Sequence, residues 1–291
     1  MTPLPVFQLP LQAGHPPLGY ESPSVSEPPS ANRERDVFLG RQRCLVCGIF
    51  EATCNSEVLH RCCIASREFW LKWNDLKRRG WIPFNARRRP YHEPRNMLSL
   101  CPSHREYLEG YRFFIRFIPQ AQKFVFINYS GIQSLQKFHG KAIPLDIREP
   151  DTPFPSVFIL HEMRVRGTYP FRPAEPDIPE YQDITWQEWV LSEDLFDNVT
   201  GLFRRDRPPG FRYSDEEDVK ASTEVPVLQC LGTTIPQGSP SHDMVNADNG
   251  VVDEILQATW ELASWRACVQ EGEARARVEA ERGAKISEDS E

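Results

Sequence analysis

Two short-spaced pairs of potential metal ligands stand out in the sequence. Cys44-Leu-Val-Cys47 is followed by a glycine, and Cys101-Pro-Ser-His104 lies farther along the chain. A C-x-x-C pair followed by glycine favours a tight turn in which both thiolates face one ion, and a C-x-x-H pair at the start of a helix can supply two more ligands. Four such ligands complete a tetrahedral zinc site without an open coordination position. The spacing therefore predicts a structural zinc ion, although two cysteines three residues apart can also simply be buried.

The other cysteines have no partner at metal-binding spacing. We expect them to be buried as small apolar groups; they are Cys54, Cys62, Cys63, Cys230 and Cys268. The N-terminus lacks the basic start and apolar run of a secretory signal, and no run approaches the roughly 18 apolar residues of a membrane-spanning helix. These features predict an intracellular protein, in the nucleus or cytoplasm, that is not secreted and has no membrane partner. A disulfide framework is not expected there.

The charge is distributed unevenly along the chain. The net charge is −7, yet segment 61–123 contains 14 Lys or Arg against five acidic residues. Such a stretch can present a cationic face to a polyanion, so DNA or RNA is an expected partner. These side chains could instead be ordinary surface charge, partly neutralised by the acidic segment 241–291. The candidate nucleic-acid-binding residues are Arg78, Arg79, Arg87, Arg88, Arg89 and Arg95.

Three tryptophans lie near these arginines. Trp70, Trp73 and Trp81 could stack on bases. The pattern Phe69-Trp-Leu-Lys-Trp73 also suits an amphipathic helix packed on the domain, in which case the tryptophans belong to the core.

The stretch from Cys44 to about Gly167 resembles an HNH-type endonuclease domain, and more closely the HNH-domain proteins of mushroom-forming fungi. The resemblance rests first on three short blocks of the sequence: Cys44-Leu-Val-Cys47-Gly, His60-Arg-Cys-Cys63-Ile, and Arg95-Asn96-Met-Leu-Ser-Leu-Cys101-Pro-Ser-His104. Further blocks complete it at Phe113-Phe-Ile-Arg-Phe-Ile-Pro119, Phe124-Val-Phe-Ile-Asn128, Phe138-His-Gly-Lys-Ala-Ile143 and His161-Glu-Met-Arg-Val-Arg-Gly167.

The resemblance implies a ββα-metal architecture, in which a hairpin and the following helix hold a divalent ion between them. It implies that a histidine near the end of the first strand activates a water molecule, that an asparagine, here Asn96, orients this histidine, and that a helix histidine binds the catalytic ion. Phosphodiester hydrolysis needs an activated water and neutralisation of charge at phosphorus. An asparagine at this position could also serve as a helix cap or turn residue.

The sequence departs from the family pattern at two catalytic positions. In the favoured register, Cys63 replaces the general base, Arg105 replaces the catalytic-ion ligand, and His104 is the fourth zinc ligand. A thiol is a poor general base toward water, and an arginine has no lone pair for a cation. A competing register uses His60 as the base and His104 as the catalytic-ion ligand. It keeps the histidine–asparagine–histidine triplet intact, but zinc then loses its fourth ligand.

The distribution of proline, aromatic and charged residues divides the chain into segments. We predict an α+β fold, with a small zinc-knuckle ββα-metal (HNH-like) domain, an irregular β-rich extension and disordered termini. The expected segments are a disordered Pro-rich arm (1–36), the HNH-like domain (37–145), an extension packed on it (146–213), an acidic linker (214–250), an amphipathic helix (251–282) and a disordered tail (283–291).

Three functional hypotheses follow. The first is an HNH-endonuclease-like protein whose zinc-stabilised module binds nucleic acid through a basic face, with phosphodiester cleavage weak or lost. The second is an active endonuclease that uses His60, Asn96 and His104 with Mg²⁺ or Mn²⁺. The third is a non-catalytic interaction scaffold that binds a protein partner through the 251–282 helix.

Overall fold

The computed structural model describes residues 35–50, 59–65, 70–172, 179–205 and 249–288. Most of the predicted arm, almost all of the predicted acidic linker and the last three residues lie outside these ranges. The described part is a mixed α+β structure with several small sheets, which confirms the fold class at this level. Among the described residues, no helix combines the length and the apolar composition needed to cross a membrane.

A pair of antiparallel strands, together with the helix that follows the second strand, forms the part of the fold nearest the candidate ligands. Strand β1 (Val37–Phe38) pairs with β2 (Arg41–Gln42), and β3 (His60–Cys63) pairs antiparallel with β4 (Met97–Leu100), which is buried along its whole length. Helix α1 (Trp70–Arg78) lies between β3 and β4 in the chain. Helix α2 (Pro102–Glu109) begins directly after β4, because Pro102 fits the first helical position, where no backbone N–H is required.

The first residues of the described structure belong to the folded domain rather than to the predicted arm. Arg35 and Asp36 are both buried and form an ion pair. Asp36 accepts the backbone N–H of Ser99 at 3.0 Å, and Arg35 donates to the carbonyl of Met97 at 2.9 Å. The boundary predicted between residues 36 and 37 is therefore too late, because this pair holds the chain against β4.

A second sheet carries the aromatic core. Strands β5 (Phe114–Ile118), β6 (Lys123–Ile127) and β7 (Ala142–Ile143) form an antiparallel sheet in that order. Helix α3 (Pro155–Thr168) packs on β5. The rings of Phe124 and Phe158 lie 5.4 Å apart between the sheet and this helix.

The extension is less β-rich than the sequence suggests. The run from Val157 to Leu160 belongs to the 14-residue helix α3. A short helix α4 (Glu188–Ser192) and a hairpin of β8 (Phe196–Asp197) and β9 (Leu202–Phe203) follow. A four-residue apolar run suits a buried helix as well as a strand, so periodicity alone could not decide between them.

The C-terminal segment forms two helices rather than one. Helix α5 (Asn249–Glu261) and helix α6 (Ala263–Glu288) are separated at Leu262, and α6 extends six residues beyond the predicted end of the helix at 282. Helix α5 packs on α3, and Ile255, Thr259 and Leu262 are buried there. Part of the apolar face through which a protein partner was expected is thus covered by the chain's own domain, whereas Val251 and Trp260 are about half exposed.

Candidate metal centre and adjoining cleft

Cys44, Cys47, Cys101 and His104 converge on one point. Their potential ligand atoms all lie within 4.8 Å of one another, and three of the four residues are buried. His104 Nδ1 lies 3.1 Å from Cys101 Sγ and 3.7 Å from Cys44 Sγ, and the sulfurs of Cys47 and Cys101 are 3.8 Å apart. This group of soft sulfur and imidazole donors could hold a metal ion.

The backbone of the 44–48 turn brings its two thiols to the same side. Gly48 has a φ of +74°, and its N–H donates to the Cys44 carbonyl at 2.9 Å. A Cβ at Gly48 would lie 2.4 Å from the Trp189 ring, so glycine is required both for the backbone angle and for the space. The N–H of Leu45 donates to the Ser99 carbonyl at 3.0 Å, which fixes the turn beside β4.

The start of helix α2 supplies the other two ligands. Cys101 stands at the N-cap and His104 one turn later, so both side chains lie on the same side of the helix. Because β4 leads directly into Cys101, the contact between Leu45 and β4 also sets the distance between the two ligand pairs.

The three thiols interact strongly. Burial raises the pKa of Cys44 well above its usual value. The hydrogen bond with Cys101 raises the pKa of Cys47 to about 12, while the hydrogen bonds from Cys44 and Cys47 lower that of Cys101. A divalent cation would offset the mutual repulsion of three thiolates and allow all of them to ionise.

Arg105, which the favoured register assigns to the position of the catalytic-ion ligand, lies next to this cluster. Its guanidinium donates to Glu109 Oε1 at 2.9 Å and to His60 Nδ1 at 3.2 Å. An arginine can only donate, so Nδ1 of His60 accepts in this contact. The lone pair of Nδ1 is therefore engaged by Arg105.

Strand geometry separates Cys63 from this cleft. Side chains alternate along β3, so Cys62 shares the face of His60 and Cys63 lies on the opposite face. Cys62 is buried, and burial raises the pKa of its thiol to about 12. The cysteine that shares the face of His60 is therefore Cys62, and Cys63, which the favoured register assigns to the position of the general base, lies on the other face of β3.

Asn96 is fully buried and acts on the backbone. Its Oδ1 accepts the N–H of Ala65 at 2.9 Å, and its Nδ2 donates to the carbonyls of Ala65 and Pro90 at 3.2 and 3.1 Å. These bonds join the end of β3 to the loop before β4. The amide that was expected to orient a catalytic base is thus engaged with three backbone groups.

The chain matches no protein-family model, no curated protein and no solved structure. The geometry described above is therefore the basis for a functional inference.

The predicted basic residues divide into exposed and buried groups. Arg78, Arg79 and Arg88 are exposed, and Arg87 and Arg89 are partly buried. Arg95 is fully buried and contacts the carboxylates of Glu93, Asp151 and Glu271, so it does not belong to an accessible basic face. Although burial opposes its charge, the ion pairs with Glu271 and Glu93 raise the pKa of Arg95.

Among the described aromatic side chains near these arginines, the tryptophans are not the exposed ones. Trp73 is fully buried and donates from Nε1 to the Arg87 carbonyl at 2.9 Å, and Trp81 is partly buried. Phe84, in contrast, is 77% exposed. Its position between Pro83 and Asn85, both common turn residues, was the available signal.

Proposed function

We propose that the chain is an HNH-endonuclease-like module, held together by a structural zinc ion, that binds nucleic acid through its basic face and has lost efficient phosphodiester cleavage. The observation that carries the proposal is the convergence of Cys44, Cys47, Cys101 and His104 on one point beside an arginine–histidine pair.

The donor set fits zinc. Two sulfurs bound to zinc at about 2.3 Å lie roughly 3.8 Å apart in a tetrahedron. The sulfurs of Cys47 and Cys101 are 3.8 Å apart. Three thiolates and one imidazole fill the four positions, so the ion would be structural, tying the 44–48 turn to the start of α2. Retention of these thiols as ligands accords with an intracellular, reducing location.

The cleft beside α2 supports the loss of cleavage. In the favoured register Arg105 replaces the ion ligand; in addition, His60 Nδ1 is engaged by Arg105, and the Asn96 amide is engaged by backbone groups. Loss of a general base alone typically lowers a rate by about 10²–10⁴-fold, and loss of an ion ligand adds to this.

Titration of the full chain with a labelled DNA duplex and with a single strand of the same sequence tests the binding function. We expect the logarithm of the binding constant to fall linearly with the logarithm of the salt concentration, because counterions are released. If the chain binds neither the duplex nor the single strand at low salt, the nucleic-acid-binding function is rejected and the interaction-scaffold hypothesis is favoured.

Plasmid nicking with Mg²⁺ or Mn²⁺ tests the loss of cleavage. We expect no nicking above that of a His60→Ala variant. Nicking by the unaltered chain that His60→Ala abolishes would instead establish the active endonuclease that uses His60, Asn96 and His104.

A further inference from the structure

Phe84 stands at the tip of a turn. The N–H of Ala86 donates to the Pro83 carbonyl at 3.0 Å, so Phe84 and Asn85 are the two central residues of a β-turn. The residues on either side, Ile82, Pro83 and Ala86, are buried. The chain thus anchors the base of the turn in the core and leaves the ring of Phe84 in solvent.

The turn is supported from two directions. On one side, Trp73 donates to the Arg87 carbonyl at 2.9 Å, and Lys77 donates to the carbonyl of Ala86. On the other side lies helix α6: Arg275 donates to the Asn85 carbonyl at 2.7 Å.

Helix α6 also approaches the turn closely at Gly272. A Cβ at Gly272 would lie 2.2 Å from the Cβ of Asn85, so glycine allows this approach. Because the turn is held between α1 and α6, the exposed ring is displayed on a fixed support. The backbone of the turn therefore loses little conformational freedom when a ligand packs on the ring.

The turn lies in a basic stretch of the sequence, bounded by Asp75, which forms an ion pair with Arg78, and by Glu93. Residues 76–92 include six Lys or Arg and no acidic residue. Arg78 and Arg79 at the end of α1 and Arg88 after the turn are exposed. The ligand that complements an exposed aromatic ring among cations is a polyanion with accessible flat apolar faces. An unpaired nucleotide chain has both features, whereas the base faces of a duplex are covered by stacking.

We propose that the 83–86 turn is a stacking platform for single-stranded nucleic acid, in which the Phe84 ring packs on one unpaired base and the exposed arginines contact the flanking phosphates. This inference rests on the proposed nucleic-acid-binding function. It adds that the ligand is single-stranded and that Phe84 is the residue that selects it.

Fluorescence anisotropy with the full chain and a short labelled oligothymidylate tests this platform. We expect Phe84→Ala to weaken binding about tenfold, since stacking contributes substantially for each base. The dependence of binding on salt should stay the same because no charge is removed. Phe84→Trp should bind at least as tightly as the unaltered chain. Phe171→Ala is the matched control, since Phe171 is fully exposed and lies outside the turn, and it should leave affinity unchanged.

An oligonucleotide with abasic sites separates stacking from other effects. The unaltered chain should bind the abasic strand about as weakly as Phe84→Ala binds the intact strand, and Phe84→Ala should lose little more on the abasic strand. If the chain binds nucleic acid but Phe84→Ala binds both strands as the unaltered chain does, the platform is rejected and the proposed function stands. If the chain binds neither strand nor duplex, the proposed function fails as well.

Discussion

At the scale of single residues, the contact between Arg105 and His60 bears on the proposed loss of cleavage. Arg105 donates to Nδ1 of His60 and to Glu109, so its positive charge lies beside His60. A guanidinium cannot bind a metal ion, but it can bind a phosphate. In the function proposed above, this arginine would therefore contact a phosphodiester rather than help to cleave it.

Arg95 and Arg88 have opposite predicted roles. Arg95→Ala should lower the free energy of unfolding by about 3–5 kcal/mol, because it leaves the buried Glu93 carboxylate without its cation. Arg88→Ala should change it by less than about 0.5 kcal/mol, since its side chain is exposed. Urea unfolding of the two variants measures both values. Equal stability of the two variants would contradict the buried role of Arg95.

The metal-binding turn depends on one glycine. Gly48→Ala should destabilise the fold by about 2 kcal/mol or more, because the residue has a positive φ and its new methyl group meets the Trp189 ring. Gly167→Ala is the control: this helical glycine has nothing within 4 Å of an added Cβ, and the change should stabilise α3 by about 0.5–1 kcal/mol. Thermal unfolding compares them, and a neutral Gly48→Ala would contradict the turn geometry.

Helix α3 contains a buried histidine that links stability to pH. Burial lowers the pKa of His161 from 6.5 to about 4, so the unfolded chain binds a proton more readily than the folded one between these values. Its contribution to stability is therefore present above about pH 6.5 and is lost as the pH falls toward 4. Between about pH 7.5 and pH 5.5 the loss should be roughly 1.4 kcal/mol.

The variant His161→Phe isolates this contribution. We expect its unfolding free energy to fall less than that of the unaltered chain over the same pH range, by the amount given above. A parallel decline in both proteins would show that His161 does not titrate as its burial requires.

For the whole molecule, the features that could be predicted from the sequence are those that depend on residues close together in the chain. The pairs Cys44–Cys47 and Cys101–His104 were predicted as one ligand group, because tight turns and helix starts fix such geometry locally. The burial of Arg95 was not foreseen, since its partner Glu271 lies 176 residues away. The exposure of Phe84 had a local signal in the neighbouring turn residues Pro83 and Asn85, whereas the burial of Trp73 depends on contacts distant in sequence.

The acidic C-terminal segment also proves to be part of the fold. Helix α6 contributes Glu271 to an ion pair with the buried Arg95, and Arg275 to the 83–86 turn. Glu271 thus neutralises one arginine of the basic stretch. The exposed arginines at 78, 79 and 88 remain accessible to a polyanion.

Zinc content measured by mass spectrometry, with thermal unfolding on the same samples, tests the central claim most directly. We expect one zinc ion per chain in the unaltered protein. Cys44→Ser should lose most of its zinc and much of its stability, and chelation should lower the thermal stability of the unaltered chain. Cys62→Ser is the control, because Cys62 is also buried but stands outside the ligand group, and it should keep its zinc. Unchanged metal content and stability in Cys44→Ser would contradict the account.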